Sequence, residues 1–571
     1  MKPIVLLILI INLLLVINLV KSDESCYLLK QSLLFYKAQR AGRLPDNDIP
    51  WRGNSVLNDK SAGSSVDSNG DGDLSKGYFD AGDGVKFNFP MAYSMTMLGW
   101  SYLEYSGNIE KCGLASLYKE VLKWGTDFLI ASHTSDNVFV VQVGNGDVDH
   151  SVWQPPEDIN YVRQIYTIDP SNPGTDIAME AASALSAASL VFKTSDPTYS
   201  AKCLQHAQKL YSFAITSQMK ATNNQTYMNN AALYYTYDNT RYANEFSWDN
   251  KGVGAMLLLY QLTGELKYKD NLEAAFNVWQ PGSTSNVITY TKGGLAWLRE
   301  WGPCRYSLVM GFLQSVYSIK NGGDSKYNTF YKSQLSYVVG NNTNKQSFIT
   351  GYGSKAPKNP HHRAAHHSTT KDINNPVNNT YQLPGALVGG PGKNDEWSDD
   401  RSNYVTNEVA LDYNVGLVGS LSAFATGSEA TSSSTGSTTP STTSTQSTTG
   451  STTTSQPTTG STTASQSTTS STTGTQSTTS KTTASTTGSQ STTTSTTSQS
   501  TTSSSQSTTT SKTTASTTGS QSTTTSQSTT TSKLGESESD DHLGDSVSSF
   551  IGRADSVLLI LLSLISLIFN L

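Results

Sequence analysis

The sequence predicts an all-α fold, on three observations. Apolar residues recur at three- and four-residue steps in several segments. Strand-like alternation is scarce, with Val138 to Val143 the main exception. Loops rich in Gly, Pro and Asn separate the helical segments. Ile177, Ala181, Leu185, Ala188 and Phe192 mark one helix, and Tyr306, Val309, Met310, Leu313 and Val316 mark another. Further helices run near Leu117 to Leu129 and Val253 to Leu262, and Gly264, Gly322 and Gly323 follow helical runs as stop signals. The folded region is long for one core. A closed ring of helical hairpins is one way to keep a single core at that size.

The whole chain has 571 residues, 36% of them hydrophobic and 15% charged. Both values are low against roughly 45–50% and 25% in globular proteins. The average hides unlike parts. Residues 1–22 carry Lys2 and an apolar run from Ile4 to Val20, with small Val20 and Ser22 placed for cleavage, and so read as a secretory signal peptide. Residues 23–427 form the folded domain. Residues 428–533 repeat Ser, Thr, Gln and Gly with almost no apolar side chains. Nothing there offsets the entropy of ordering, so this tract reads as an extended, O-glycosylated stalk. Residues 534–555 are a polar, acidic spacer, and residues 556–571 an apolar tail. The tail is short for a spanning helix, which needs about 20 residues. Small residues upstream, with Gly544 or Ser546 as the attachment site, make the pattern of a glycolipid-anchor signal. A single-pass tail is the alternative. The expected location is the extracellular face of the cell surface, with the membrane as a partner through this tail. Sequons at Asn224, Asn341 and Asn378 fit the same route.

The net charge of −6 argues against nucleic acid as a partner. There is no CxxC pair, no Walker loop and no dinucleotide fingerprint. Cys26, Cys112, Cys203 and Cys304 permit two disulfides in three connectivities, and free buried thiols are the other reading.

Carboxylates carry the chemistry. Asp80 and Asp83 stand three apart around Ala-Gly, flanked by Phe87 and Phe89. Small residues let the backbone turn so that both acids point into one site, suited to a base and a partner orienting one water. A second segment holds Asp399, Tyr404 and Glu408 at the start of a helical run. Glu408 precedes Val409 and Ala410, and burial raises a carboxyl toward the value a general acid needs. Asp399 and Arg401 make a candidate ion pair. A third segment places His361, His362, His366 and His367 with Arg363 in a Gly/Pro-rich loop. Its spacing matches no known zinc pattern, so donors to sugar hydroxyls are the expectation.

These segments together resemble glycoside hydrolase family 9: DAGD, SFITGYGSKAPKNPHHR and DDRSNYVTNEVALDYN. The stretches VQVGNGDVDHSVWQPPE, PGTDIAMEAASALSAASLVF and KGGLAWLREWGPCRYS extend the likeness over nearly all of residues 26–427. The resemblance implies an (α/α)6 barrel and an inverting endo-β-1,4-glucanase, a cellulase acting on β-1,4-glucan as a monomer. By the same resemblance Asp83 is the base, Asp80 helps hold the water, and Glu408 is the acid. His361 and Arg363 bind glucosyl hydroxyls. Asp399 and Tyr404 support the acid, and His150, Trp153, Trp301 and Arg305 line the cleft. Inversion requires acid and base about 6.5–9.5 Å apart, to admit water.

The chemistry requires no cofactor, but the resemblance raises a structural calcium, with Asp249 as a ligand. Residues 218–248 lack the Ser-Gly-x-x-Asp-Glu segment and extra helical pair of some relatives. Val415 stands where a small residue is usual, and Pro303 and Cys304 sit inside the WGxxRY segment. The DSNGDGD loop from Asp67 lacks the closing Glu of a calcium loop, so it reads as a polar turn. Alternatives to the glucanase are an exo-acting β-glucosidase or glucosaminidase of the same fold, and an inactive carbohydrate-binding surface glycoprotein.

Overall fold

The computed structural model describes residues 24–45, 49–60, 72–220 and 244–425. The signal peptide, stalk, spacer, anchor site and tail lie outside the described residues, as do Asn224 and most of the Asp67 loop.

Helix α1 covers residues 24–38. Then follow α2 (Asn88–Lys111), α3 (Ala115–Ser132), α4 (Thr175–Phe192) and α5 (Pro197–Lys220). The second half holds α6 (Gly252–Thr263), α7 (Leu266–Val278), α8 (Pro303–Lys320), α9 (Ser325–Val338) and α10 (Leu411–Phe424). The strands are small. β1 (Lys86–Phe87), β2 (Phe139–Val143) and β3 (Ile165–Ile168) make one antiparallel sheet, with Lys86 opposite Val143 and Phe139 opposite Ile168. β4 (Thr289–Tyr290) and β5 (Ala296–Trp297) make a hairpin.

Burial separates an inner from an outer set of helices. Helices α4, α8 and α10 are buried on almost every face, which fits their Ala, Ser, Gly and Leu content. Helices α3, α7 and α9 bury one face and keep a polar one. Each outer helix follows an inner one in sequence and packs beside it, as α9 does on α8 and α5 on α4. Helices α4, α2, α10 and α8 pack side by side in that order. This gives successive inner–outer hairpins, the arrangement of an (α/α) barrel.

Local signals set the ends. Pro303 opens α8, where its missing N–H costs nothing. Asp324 caps α9 by accepting from the Lys326 N–H at 2.8 Å. Gly264 closes α6 in the left-handed region at φ 68°. Helix α1 ties the first described segment to the start of α10: the Tyr36 hydroxyl donates to the Leu411 carbonyl at 2.9 Å.

One disulfide forms among the described residues, Cys26–Cys112, which ties α1 to the end of α2. Cys203 and Cys304 are free and buried on separate helices, so the second bridge that an even count permits is not made. Buried apolar surroundings push both thiols above the ordinary range. Asn341 and Asn378 are exposed.

Candidate active site

Three backbone bonds join segments from opposite ends of the domain into one floor. The Leu411 N–H donates to the Asp80 carbonyl at 2.9 Å, and the Arg363 N–H to the Gly82 carbonyl at 2.9 Å. The His361 N–H donates to the Asn407 carbonyl at 2.9 Å, in a parallel bridge that sets His361 beside Glu408. Gly82 makes this possible. A Cβ there would stand 2.0 Å from the His361 carbonyl oxygen.

Above this floor lies a cleft of about 1300 Å³. Asp80, Asp83, His150, Trp153, Trp301, Arg305, His361, Arg363, Tyr404 and Glu408 all line it. Phe87 and Phe89 line it too. Trp301 and Tyr404 are half exposed at its rim, with ring centroids 5.4 Å apart.

The two acids differ in surroundings. Burial pushes the Glu408 carboxyl up to about 8, and the Asp83 charge adds to the effect. A hydrogen bond from Trp301 works the other way. Asp83 is set up as an acceptor: its Oδ1 takes the Val85 N–H at 3.2 Å, and its Oδ2 lies 3.0 Å from His150 Nε2. That contact raises the His150 pKa. Burial raises Asp80 well above the carboxylate range, with the Asp412 and Asp83 charges adding to it. Asp80 Oδ1 is buried with no hydrogen-bond partner among the described residues.

His361 is held neutral. Burial lowers its pKa to about 4, against the contact with the Arg401 carbonyl. Its Nδ1–H donates to that carbonyl at 2.7 Å, which leaves Nε2 as an acceptor. The sequence pointed to donors here, and the tautomer reverses that expectation for His361. His362 and His366 are buried and serve the scaffold. His362 bonds Gln39 at 2.6 Å, and His366 bonds the Trp153 indole at 2.6 Å.

Arg363 is fixed by Asp149, whose Oδ2 lies 2.5 Å from Nη1 and whose carbonyl lies 3.1 Å from it. Tyr161 donates to the other Asp149 oxygen. Arg305 bonds Asp412 at 2.8 Å and the Tyr306 hydroxyl at 2.7 Å. Asp399 stands outside the cleft lining and accepts the Lys358 and Asn359 N–H groups at 2.9 and 3.0 Å. It braces the loop that leads to His361. The ion pair expected between Asp399 and Arg401 does not form. The Arg401 guanidinium is filled by the Ile373, Pro376 and Val377 carbonyls and Asn379 Oδ1.

Calcium fits these residues poorly. The Ser247 hydroxyl lies 2.5 Å from Asp249 Oδ1 and 3.1 Å from Glu245 Oε1, so two carboxylates do come together. Glu245 already pairs with Arg299. Among the described residues this falls short of the six to eight oxygens that calcium takes.

Asp412, Asp149, Tyr161, Trp248 and the wall residues Lys371 to Ile373 were not found from sequence. Asp149 had a signal, as the acid next to His150. Asp412 reads as an ordinary acid in the first turn of α10.

A ring of helical hairpins carrying a cleft with one proton-holding and one accepting carboxyl has the two-carboxyl arrangement that glycoside hydrolases use. The model of glycosyl hydrolase family 9 matches residues 26–220 and 215–421. The chain belongs to that family. The two matched stretches overlap at residues 215–220, and residues 221–243 that follow lie outside the described residues.

An endoglucanase of Dictyostelium discoideum is 52% identical over 440 residues, covering 71% of this chain and 61% of that protein. Endoglucanase A of Bacillus pumilus is 38% identical over 435 residues, covering 69% and 65%. The chain thus spans less than two thirds of the length of these relatives. Among solved structures, the endoglucanase of the termite Nasutitermes takasagoensis is 38% identical, with a TM-score of 0.62 over 70% of this chain and 98% of that one. The cellulase Cel9M of C. cellulolyticum, solved with cellobiose, is 36% identical, with a TM-score of 0.62 over 70% and 97%.

Proposed function

We propose that the protein is an inverting endo-β-1,4-glucanase, secreted and tethered at the cell surface. The observation that carries the reading is the unlike environment of two carboxyls in one cleft. Glu408 keeps its proton at neutral pH and is the general acid. Asp83 accepts the proton of the attacking water, and Asp80, with a buried unpartnered oxygen, helps to hold that water. In the balanced step, water oxygen bonds to the anomeric carbon as the glycosidic bond breaks. Asp83 takes the water proton, and Glu408 gives its proton to the leaving oxygen. His361 Nε2 accepts from a sugar hydroxyl, and Arg363 donates to one. Trp153, Trp248 and Trp301 line the cleft, and Trp301, half exposed at the rim, is the ring best placed to stack on a sugar.

The test is loss of viscosity of carboxymethylcellulose with few new reducing ends, with the α-anomer appearing first by NMR. Slow viscosity loss with rapid release of small sugars would favour an exo-acting enzyme. The β-anomer appearing first would overturn inversion. Surface tethering is supported by the apolar tail and the small residues near Gly544 and Ser546. It predicts release from cells by a phosphatidylinositol-specific phospholipase, and retention would reject the glycolipid anchor.

A further inference from the structure

We propose that Arg401 is a positioning residue for the sugar chain, because it holds residues 371–379 as a preformed wall of the cleft. The inference rests on the glucanase reading. Lys371, Asp372 and Ile373 line the cleft, so the shape of this loop is part of the binding surface. Loops of this kind ordinarily keep their carbonyls in water. Here the carbonyls turn inward onto one buried guanidinium.

Arg401 is 6% exposed. Its Nε donates to the Ile373 carbonyl at 3.0 Å. Nη2 reaches the Ile373, Pro376 and Val377 carbonyls at 2.8, 2.9 and 3.1 Å. Nη1 reaches Asn379 Oδ1 at 2.6 Å. Only a planar fork serves acceptors spread over seven residues, and an ammonium has three donors from a single point. Ser368, also buried, pins the near end through contacts with the Asp372 and Asn375 carbonyls at 2.9 and 2.5 Å. An ordered wall spares the substrate the entropy of ordering it on binding.

The Arg401 backbone has a separate task. Its carbonyl orients His361 at 2.7 Å, and a side-chain substitution leaves that carbonyl in place. Loosening the wall therefore acts on binding more than on the chemical step. In the full chain, Arg401→Lys is expected to raise KM for cellohexaose about tenfold while kcat stays within about twofold. Ser368→Ala, which does not touch Arg401, is expected to move KM in the same direction by less. A folded Arg401→Lys protein with unchanged KM, or a fall in kcat at unchanged KM, overturns the proposal. So does an unchanged KM in Ser368→Ala, which keeps the test alive where the lysine variant does not fold. Failure of the glucanase reading shows separately, as an inactive wild type, and takes this inference with it.

Discussion

Asp83 and Glu408 line one cleft, and burial together with the Asp83 charge favours the protonated form of Glu408. After burial itself, the Asp83 carboxylate is the strongest influence raising the Glu408 carboxyl to about 8. The two residues lie 325 positions apart in the chain, and the floor described above brings them to one cleft.

The first prediction concerns the alkaline limb of the pH–rate profile. The acid must be protonated to work, so kcat/KM should fall as pH rises through about 8, where Glu408 ionises. Glu408→Gln should lower kcat by about 10²- to 10⁴-fold below about pH 8, the range for a lost general acid, and the gap should narrow above it. In Asp83→Asn the Glu408 carboxyl should titrate lower than in the wild type, read by carboxyl carbon NMR. Wild-type activity in the Glu408→Gln protein would sink the assignment.

The same burial costs stability. The folded Glu408 value lies above the unfolded one, so its contribution is complete below about 4.5 and is lost as pH rises through about 8. Glu408→Gln removes that cost. The variant should be more stable than wild type at pH 7, by up to about 3 kcal/mol, and gain nothing at pH 4. Thermal unfolding at the two pH values checks this. An equal gain at both would assign the effect to packing.

Much of the site was legible in the sequence, and the physics explains which part. Asp80 and Asp83 share a short turn with Gly82, so proximity in sequence is proximity in space. Glu408 sits beside apolar neighbours, and its burial follows. Arg401 shows the limit. Its expected partner was the nearby Asp399, because opposite charges two residues apart invite pairing. Backbone groups from loops far along the chain meet each of them instead, and no local pattern encodes that. The tautomer of His361 was hidden for the same reason, since the carbonyl that fixes it belongs to a residue 40 positions away. The helices were read most completely, because a 3.6-residue period is a local property.

Gly82 supplies the third prediction. An added Cβ meets the His361 carbonyl oxygen at 2.0 Å, its carbon at 2.8 Å and the His362 Cα at 2.9 Å. All three are backbone atoms and cannot rotate away. Gly82→Ala should push the Asp83 turn off the His361 segment, costing about 1–3 kcal/mol and at least about tenfold in kcat. Gly107→Ala is the control, since a Cβ there meets nothing within 4 Å in helix α2. It should be neutral or slightly stabilising. Equal behaviour of the two variants would refute the close-approach argument.

The last prediction concerns acid. His133 and His206 are buried and face each other, Nδ1 to Nδ1, at 3.0 Å. One ring must donate and the other accept, so the accepting ring must stay neutral and protonation of both breaks the contact. Burial lowers each to about 4, and for His206 the His133 charge adds to the effect. Asp136 favours protonation of both, whereas Lys209 opposes it and Lys202 adds to that opposition at His206. The folded values lie below the unfolded 6.5, so between pH 6.5 and 4 the unfolded chain binds more protons. The pair's stability is therefore fully present above pH 6.5 and declines as pH falls through that window. His361 and His362, lowered to about 4 and 3, act in the same direction. Glu408 and Asp80, raised by burial, act in the opposite direction over the same window, so the histidines contribute a falling component to the melting temperature from pH 6.5 to 4. Replacing His133 and His206 together by Gln should reduce that component, whatever it does to stability at pH 7. The double variant isolates the pair, because His361 and His362 remain to titrate in both proteins. The same slope in the double variant as in the wild type would show that the pair does not sense acid.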